Sequence, residues 1–233
     1  QDLLSGEAVP DVGALPESER RLLRMLVASL VDKAVTSATS LREGCELVWS
    51  HPQIRREVRA LMATLAERVE HVTTALSGGG GVPLAVHGRY TRIEILAAFG
   101  VGDGAKVAPW QTGVYWAKNA AADLLAFTLD KTSGQFSPTT RYRDYAISRD
   151  LIHWESQSVV RGDSVTGRRY QNHVAEGSRI MLFARRQSTD RAFYFLGPAT
   201  YVKHESELPM AITWRLERAL PGDLFAAFAA AVA

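Results

Sequence analysis

The sequence predicts an α+β protein, with an N-terminal helical bundle followed by a mostly antiparallel, barrel-like β domain. Three observations predict it. Apolar residues recur at helical spacing from Glu17 to about Ser77. "SGGGG" at 77–81 then separates two composition regimes as a flexible joint. Beyond Gly100 come several short aromatic and β-branched runs with turn residues between them. The expected domains are therefore 1–80, helical, and 81–233, β-rich.

Taken in order, Leu22, Leu23, Met25, Leu26, Leu30 and Val31 make one helical stripe, and Ile54, Val58, Leu61, Met62, Leu65 and Val69 another. Such stripes are the faces that helices turn to a core. Between them "SLREGCELVW" reads as a shorter helix, with Ser40 as N-cap and Glu43 completing a capping box. Pro52 suits the first turn of the next helix. The four glycines at 78–81 are not a phosphate loop, because no Gly-Lys-Ser/Thr follows and "VPLAV" is strand-like. "TRIEILAAFG" at 91–100 is a short helix, capped by Thr91 and Glu94 and stopped at Gly100. Strands are expected at 112–117, 123–130, 145–148, 179–186, 193–202 and 210–216, and a final helix in the "LFAAFAAAVA" tail.

The 46% hydrophobic content over 233 residues is enough for a sizeable core, and the net charge is only +2. Residues 1–80 carry nine Lys/Arg against eleven Asp/Glu, and 81–233 eighteen against fourteen. Any nucleic-acid contact must therefore come from a local patch. The lone Cys45 excludes an internal disulfide and a multi-cysteine zinc site, and a reducing cytoplasm is the simplest setting. No stretch approaches the roughly 18 apolar residues of a membrane span. The abrupt opening "QDLLSGEAVP" reads as a piece of something longer.

Catalytic signatures are missing. The histidines at 51, 71, 87, 153, 173 and 204 are scattered rather than set at zinc-ligand spacing, and there is no Gly-x-Ser-x-Gly elbow. Asp123, Asp130 and Glu155 are the acids a metal-dependent nuclease would draw on, but no acidic-x-Lys triplet occurs in the strand region. The expectation is a non-enzymatic chain without metal or cofactor.

Binding fits better. "FSPTTRYRDYAISRDLIHWESQS" at 136–158 concentrates hydroxyls, arginines and aromatics, and "GDSVTGRRYQNH" at 162–173 reads as a second polar loop. Arginines grip phosphate or guanine with a planar fork, and aromatic rings offer stacking faces. The bland alternative is that Tyr145, Ile147 and Trp154 are core and Asp144 a structural partner of Arg141 or Arg143.

Seven blocks occur in the order of a known family: "HGRYTRIEILAAFG", "GVYWAKNAAADLLAFTLDK", "FSPTTRYRDYAIS", "LIHWESQS", "TGRRYQNH", "RIMLFARR" and "PMAITWRL". The chain resembles the C-terminal domain of unknown function of bacterial superfamily-two DEAD/DEAH-type helicases, often led by a phospholipase-D-like nuclease. "LREGCELVWSHPQIRREVRALM" is similar to the helical segment just ahead of that domain. The resemblance implies an accessory region of a DNA-translocating restriction or phage-defence protein, with its helicase motor upstream in the same chain. It supplies no catalytic residues. Glu155 stands where the family more often has Gln, a charge that sits badly against phosphate.

A motor gripping phosphates without sequence preference needs a second site to select its target. PUA-like and SRA-like barrels supply one by taking a base into an aromatic-walled pocket. The expected partner is duplex DNA, with a methylated base or phosphorothioate backbone as candidate marks. The expected contacts are Arg89, Tyr115, Trp116, Lys131, Thr139, Thr140, Arg141, Tyr142, His153, Trp154, Ser156, Gln157, Arg168, Arg169, Tyr170 and His173. Two rivals remain open: a protein-docking module, marked by an exposed apolar helix face and acid-paired arginines, and a metal-dependent nuclease.

Overall fold

The computed structural model describes residues 2–31, 40–67, 73–76, 78, 80–103, 108–129 and 144–229. The chain divides into two compact units, residues 1–85 with 91–109, and residues 86–90 with 110–233.

The first unit begins with α1 (Asp2–Ser5), α2 (Glu17–Leu30), α3 (Leu41–Trp49) and α4 (Pro52–Ala66). The capping box at Ser40 forms as expected, with Ser40 Oγ accepting from Glu43 N and the Glu43 side chain accepting from Ser40 N. Leu23, Val27 and Val31 meet Leu41, Cys45, Val48 and Trp49 in a small core. Burial in that core raises the Cys45 thiol to a pKa of about 11, so it stays protonated. Gly44 marks the crossing, where an added Cβ would run into Val27 Cγ1. The second expected stripe behaves differently: α4 buries no residue, and Ile54, Leu61, Met62 and Leu65 are exposed. Two short strands follow, β1 (Thr74–Ala75) and β2 (Ala85–Val86); β3 (Arg89–Thr91) belongs mostly to the second unit, and α5 (Arg92–Ala98) to the first. The Thr91–Glu94 capping box opens α5, which packs on α2, and Gly100 takes a left-handed φ of 72° just past it.

The second unit is built on β4 (Val114–Ala117), β5 (Ala122–Thr128), β6 (Tyr145–Ala146), β7 (Leu151–Glu155), α6 (Val165–Asn172), β8 (Arg179–Arg185), β9 (Ala192–Glu205), β10 (Ala211–Leu216) and α7 (Gly222–Ala229). Its strands run in the order β4-β5-β8-β9-β10-β7-β6, with β3 also on β9. The β5–β8 pairing is parallel and the other pairings along the path are antiparallel. The sheet is thus mixed, and among the described residues it is open rather than closed into a barrel. Two features explain this. The terminal strands are four and two residues long and offer little ladder edge to each other. Side chains of α6 and α7, Tyr170, Leu224 and Phe228, cover the face that a barrel would have folded inward, packing with Leu182, Leu196, Ile212 and Trp214.

Two elements differ from expectation. Residues 165–172 form a helix rather than a loop, capped by Ser164 Oγ accepting from Gly167 N at 3.0 Å. It shows no apolar period because only Gly167 and Tyr170 are buried. β7 lies within the polar stretch, with Ile152 and Trp154 inward and Leu151, His153 and Glu155 outward. No helix among the described residues is long and apolar enough to cross a membrane.

Ser156 ties the end of β7 to the start of β10. It is fully buried, its Oγ accepts from Met210 N at 2.9 Å, and its own N–H donates to Met210 O at 2.9 Å. Ser156→Ala leaves the Met210 N–H without that partner, and the expected loss is about 1–3 kcal/mol of unfolding free energy. Urea denaturation of the two chains checks it.

Candidate nucleic-acid interface

Helix α6 organises the candidate surface. Its lead-in is pinned by Glu207, whose carboxylate accepts from Gly162 N at 3.0 Å and from His204 Nε2 at 3.2 Å. His204 Nδ1 in turn accepts from Tyr201 Oη at 2.6 Å. Gly167 is required at the first turn, since a Cβ there would strike the Arg161 carbonyl. With the helix so placed, Arg169 reaches the sheet. Its Nε and Nη2 donate to the two oxygens of Asp123 at 2.7 and 2.8 Å. Its guanidinium lies 4.3 Å from the ring centroid of Trp116. The β4–β5 register sets Trp116 directly opposite Asp123, which is why one arginine meets both. Asp123 is fully buried. Burial raises its pKa against the pull of Arg169, and the same hydrogen bonds raise that of Arg169.

The remaining expected residues fall into separate groups. Trp154, Tyr170 and His173 are buried, and all three stand edge-on or tilted around Trp214 at centroid distances of 6.1–6.4 Å. With Ser156 they are core in this structure. Burial lowers the pKa of His173, so it is neutral near pH 7 and its Nδ1–H donates to the Tyr170 carbonyl at 3.1 Å. His153 is on the outward face, stacked on Tyr145 at 4.7 Å and 24°, in a cross-strand row with Thr213 and Lys203. Gln157 is half-buried, and its carbonyl accepts from Val160 N. Arg168 is exposed and donates to the Asp163 carbonyl. Arg89 is exposed on β3 with its guanidinium 5.1 Å from the Tyr194 ring, and Tyr115 packs near Trp110. Lys131, Thr139, Thr140, Arg141 and Tyr142 lie outside the described residues, as does Asp130.

A groove of about 660 Å³ opens at the C-terminal end of α6. Val174 and Pro198 give it exposed apolar surface beside the buried Ile180, Ala199 and Leu216, and Arg179, Arg215 and Glu217 contribute its charged groups. Arg215 is half-exposed and ion-paired to Asp150 at 3.0 Å, a surface contact weak enough to exchange for another anion. Sequence reasoning missed this groove. Arg179 opens β8 and Arg215 lies near the end of β10, and only the register of β8, β9 and β10 brings them together. Among the described residues no group of three or more His, Cys, Asp or Glu is placed to hold a metal.

Arg169→Ala strands a buried carboxylate, so it should cost about 3–5 kcal/mol, while Asp123→Leu with Arg169→Leu should cost much less. A double-mutant cycle by denaturant unfolding reads the difference. His173 gives a pH effect. Its folded-state pKa is depressed, so its contribution is present above the unfolded value of about 6.5 and is lost as pH falls below it. Thermal unfolding from pH 7.5 to 5.5 should show this decline, flatter in His173→Gln.

No curated protein matches the chain by sequence. Among solved structures, the DNA modification-dependent restriction endonuclease AspBHI is similar over 58% of this chain and 73% of that one, at 12% identity and a TM-score of 0.30. A likeness that low does not establish a shared architecture. A family model for a domain of unknown function, DUF3427, matches residues 84–228. That match covers more than half of the sequence, and the chain belongs to the DUF3427 family.

Proposed function

We propose that this chain is a DNA-binding accessory module of a helicase-type restriction or defence protein, and that it takes a nucleotide into the groove at the end of α6. The observation that carries the reading is the pairing of an apolar groove lining with Arg179 and Arg215. An apolar surface suits the flat face of a base, and guanidinium forks suit the flanking phosphates. The volume falls within the range of about 300–1,000 Å³ usual for small-molecule sites. A base turned out of the duplex would present its edge to the groove, which is how a methylated base would be told from an ordinary one, while an altered phosphate would be read by the arginines that hold the backbone. In this reading the module is not itself an enzyme. Asp123, one of the acids a nuclease would need, has both oxygens engaged by Arg169.

A docking module is the second reading, favoured by the exposed apolar stripe of α4. An amphipathic helix of this length gains most of its stability from packing that stripe against something.

The test is binding of the chain to labelled duplexes, unmodified, base-methylated and phosphorothioated, over a salt series. Arg179→Ala and Arg215→Ala should each weaken binding roughly tenfold and reduce the salt slope by about 1. Preference for one modified duplex that survives high salt would make the module a modification reader. Absence of binding at low salt would remove the DNA reading and leave docking.

A further inference from the structure

We propose a second, separate site: a pocket on the first unit, between the end of α1 and the N-terminal half of α4, that binds a phosphate group in its doubly charged form. A concavity of about 390 Å³ lies there, lined by Ser5, Glu7, Pro52, Arg55, Arg56 and Arg59, with Leu4 behind them. Three guanidiniums from one helix thus border a single small pocket. Arg55 is held in place, with Nη1 donating to the Gly6 carbonyl at 2.6 Å and the guanidinium 5.3 Å from the Trp49 ring centroid. Its Nε is buried and has no partner. Arg56 and Arg59 are exposed.

The charge pattern points to an anion. Three other helix arginines of this unit sit beside carboxylates: Arg20 and Arg21 on Glu17, and Arg42 on Glu46. Around the α4 pocket no such ion pair forms among the described residues. Like charges at i, i+4, as Arg55 and Arg59 are, destabilise a helix unless something offsets them. Three guanidiniums less the one carboxylate of Glu7 leave a formal +2 at the pocket. That matches a phosphate monoester or inorganic phosphate above its second pKa of about 6, whose three oxygens accept from planar forks. A phosphodiester carries only half that charge. The ligand is therefore a terminal or free phosphate, either the 5′ end of a nucleic acid or a small molecule.

The experiment is calorimetric titration of the whole chain with inorganic phosphate, a nucleoside 5′-monophosphate, and a short duplex with and without 5′-phosphates. Saturable phosphate binding is expected at pH 7.5 and should be weaker at pH 5.5. Arg56→Ala with Arg59→Ala should weaken it roughly tenfold or more, since hydrogen bonds to charged groups are lost. Glu7→Gln should tighten it. Arg179→Ala should leave it unchanged, which separates this site from the groove and lets either proposal fail alone. A duplex that binds more tightly when 5′-phosphorylated, with the gain lost in the double variant, identifies a nucleic-acid end. Equal binding of both duplexes beside tight monophosphate binding identifies a small molecule. No saturable binding of any phosphate, or binding indifferent to Arg56 and Arg59 in a variant with wild-type circular dichroism, overturns the proposal.

Discussion

Asp123 is a carboxylate with no exposure to water, and the second unit is arranged around the need to satisfy it. A lone buried charge costs several kcal/mol, so a partner must be delivered to both of its oxygens. Arg169 is that partner, and it can arrive only if α6 lies across the sheet at one height and rotation. The Trp116 ring, opposite Asp123 in the ladder, provides the flat surface on which the guanidinium lies. Once α6 is so fixed, Tyr170 faces inward, His173 forms one side of the groove, and the 161–164 turn meets Glu207. The fork-to-carboxylate contact, together with the buried Tyr170 ring and the Glu207 anchor, sets the place of a helix whose own sequence has almost no apolar face.

Much of the architecture was legible in the sequence, because local chemistry set it. Ser40 with Glu43 and Thr91 with Glu94 cap the helices they announced. The runs rich in Phe, Tyr, Trp, Val and Ile became strands. What could not be read was whatever depended on distant partners. Residues 162–173 read as a loop since a short, polar, glycine-containing helix leaves no periodic trace. The alternation in "LIHWE" is that of a half-buried strand, but the polar and charged residues around it mask the period. The α4 stripe looked like core, and periodicity alone does not say whether a partner surface exists. The number and spacing of strands suggest a barrel, whereas closure also needs a matching tilt and stagger and end strands able to pair, and β4 and β6 are only four and two residues long.

The same distinction explains the fate of the candidate contacts. Aromatic residues among arginines look alike on paper whether they line a cleft or fill a core. Strand alternation separates them in space: Trp154 points inward to Tyr170 and Trp214, while its neighbour His153 points outward to stack on Tyr145. Arg179 and Arg215 do not read as a pair because they lie 36 residues apart, on different strands.

An open sheet has ends, and this one grades from centre to margin. Leu182, Leu196, Ile212 and Trp214, on β8, β9 and β10, have essentially no solvent contact, whereas β6 contributes two residues and β4 four. Ladders of this kind come apart from their margins inward, so the backbone amides of β8 and β9 should stay protected long after those of β6 have exchanged. The outward-facing Tyr145–His153 stack rests on that short margin. Local opening there exposes new surface around Asp144 and Tyr145 while the interior of the sheet stays shut.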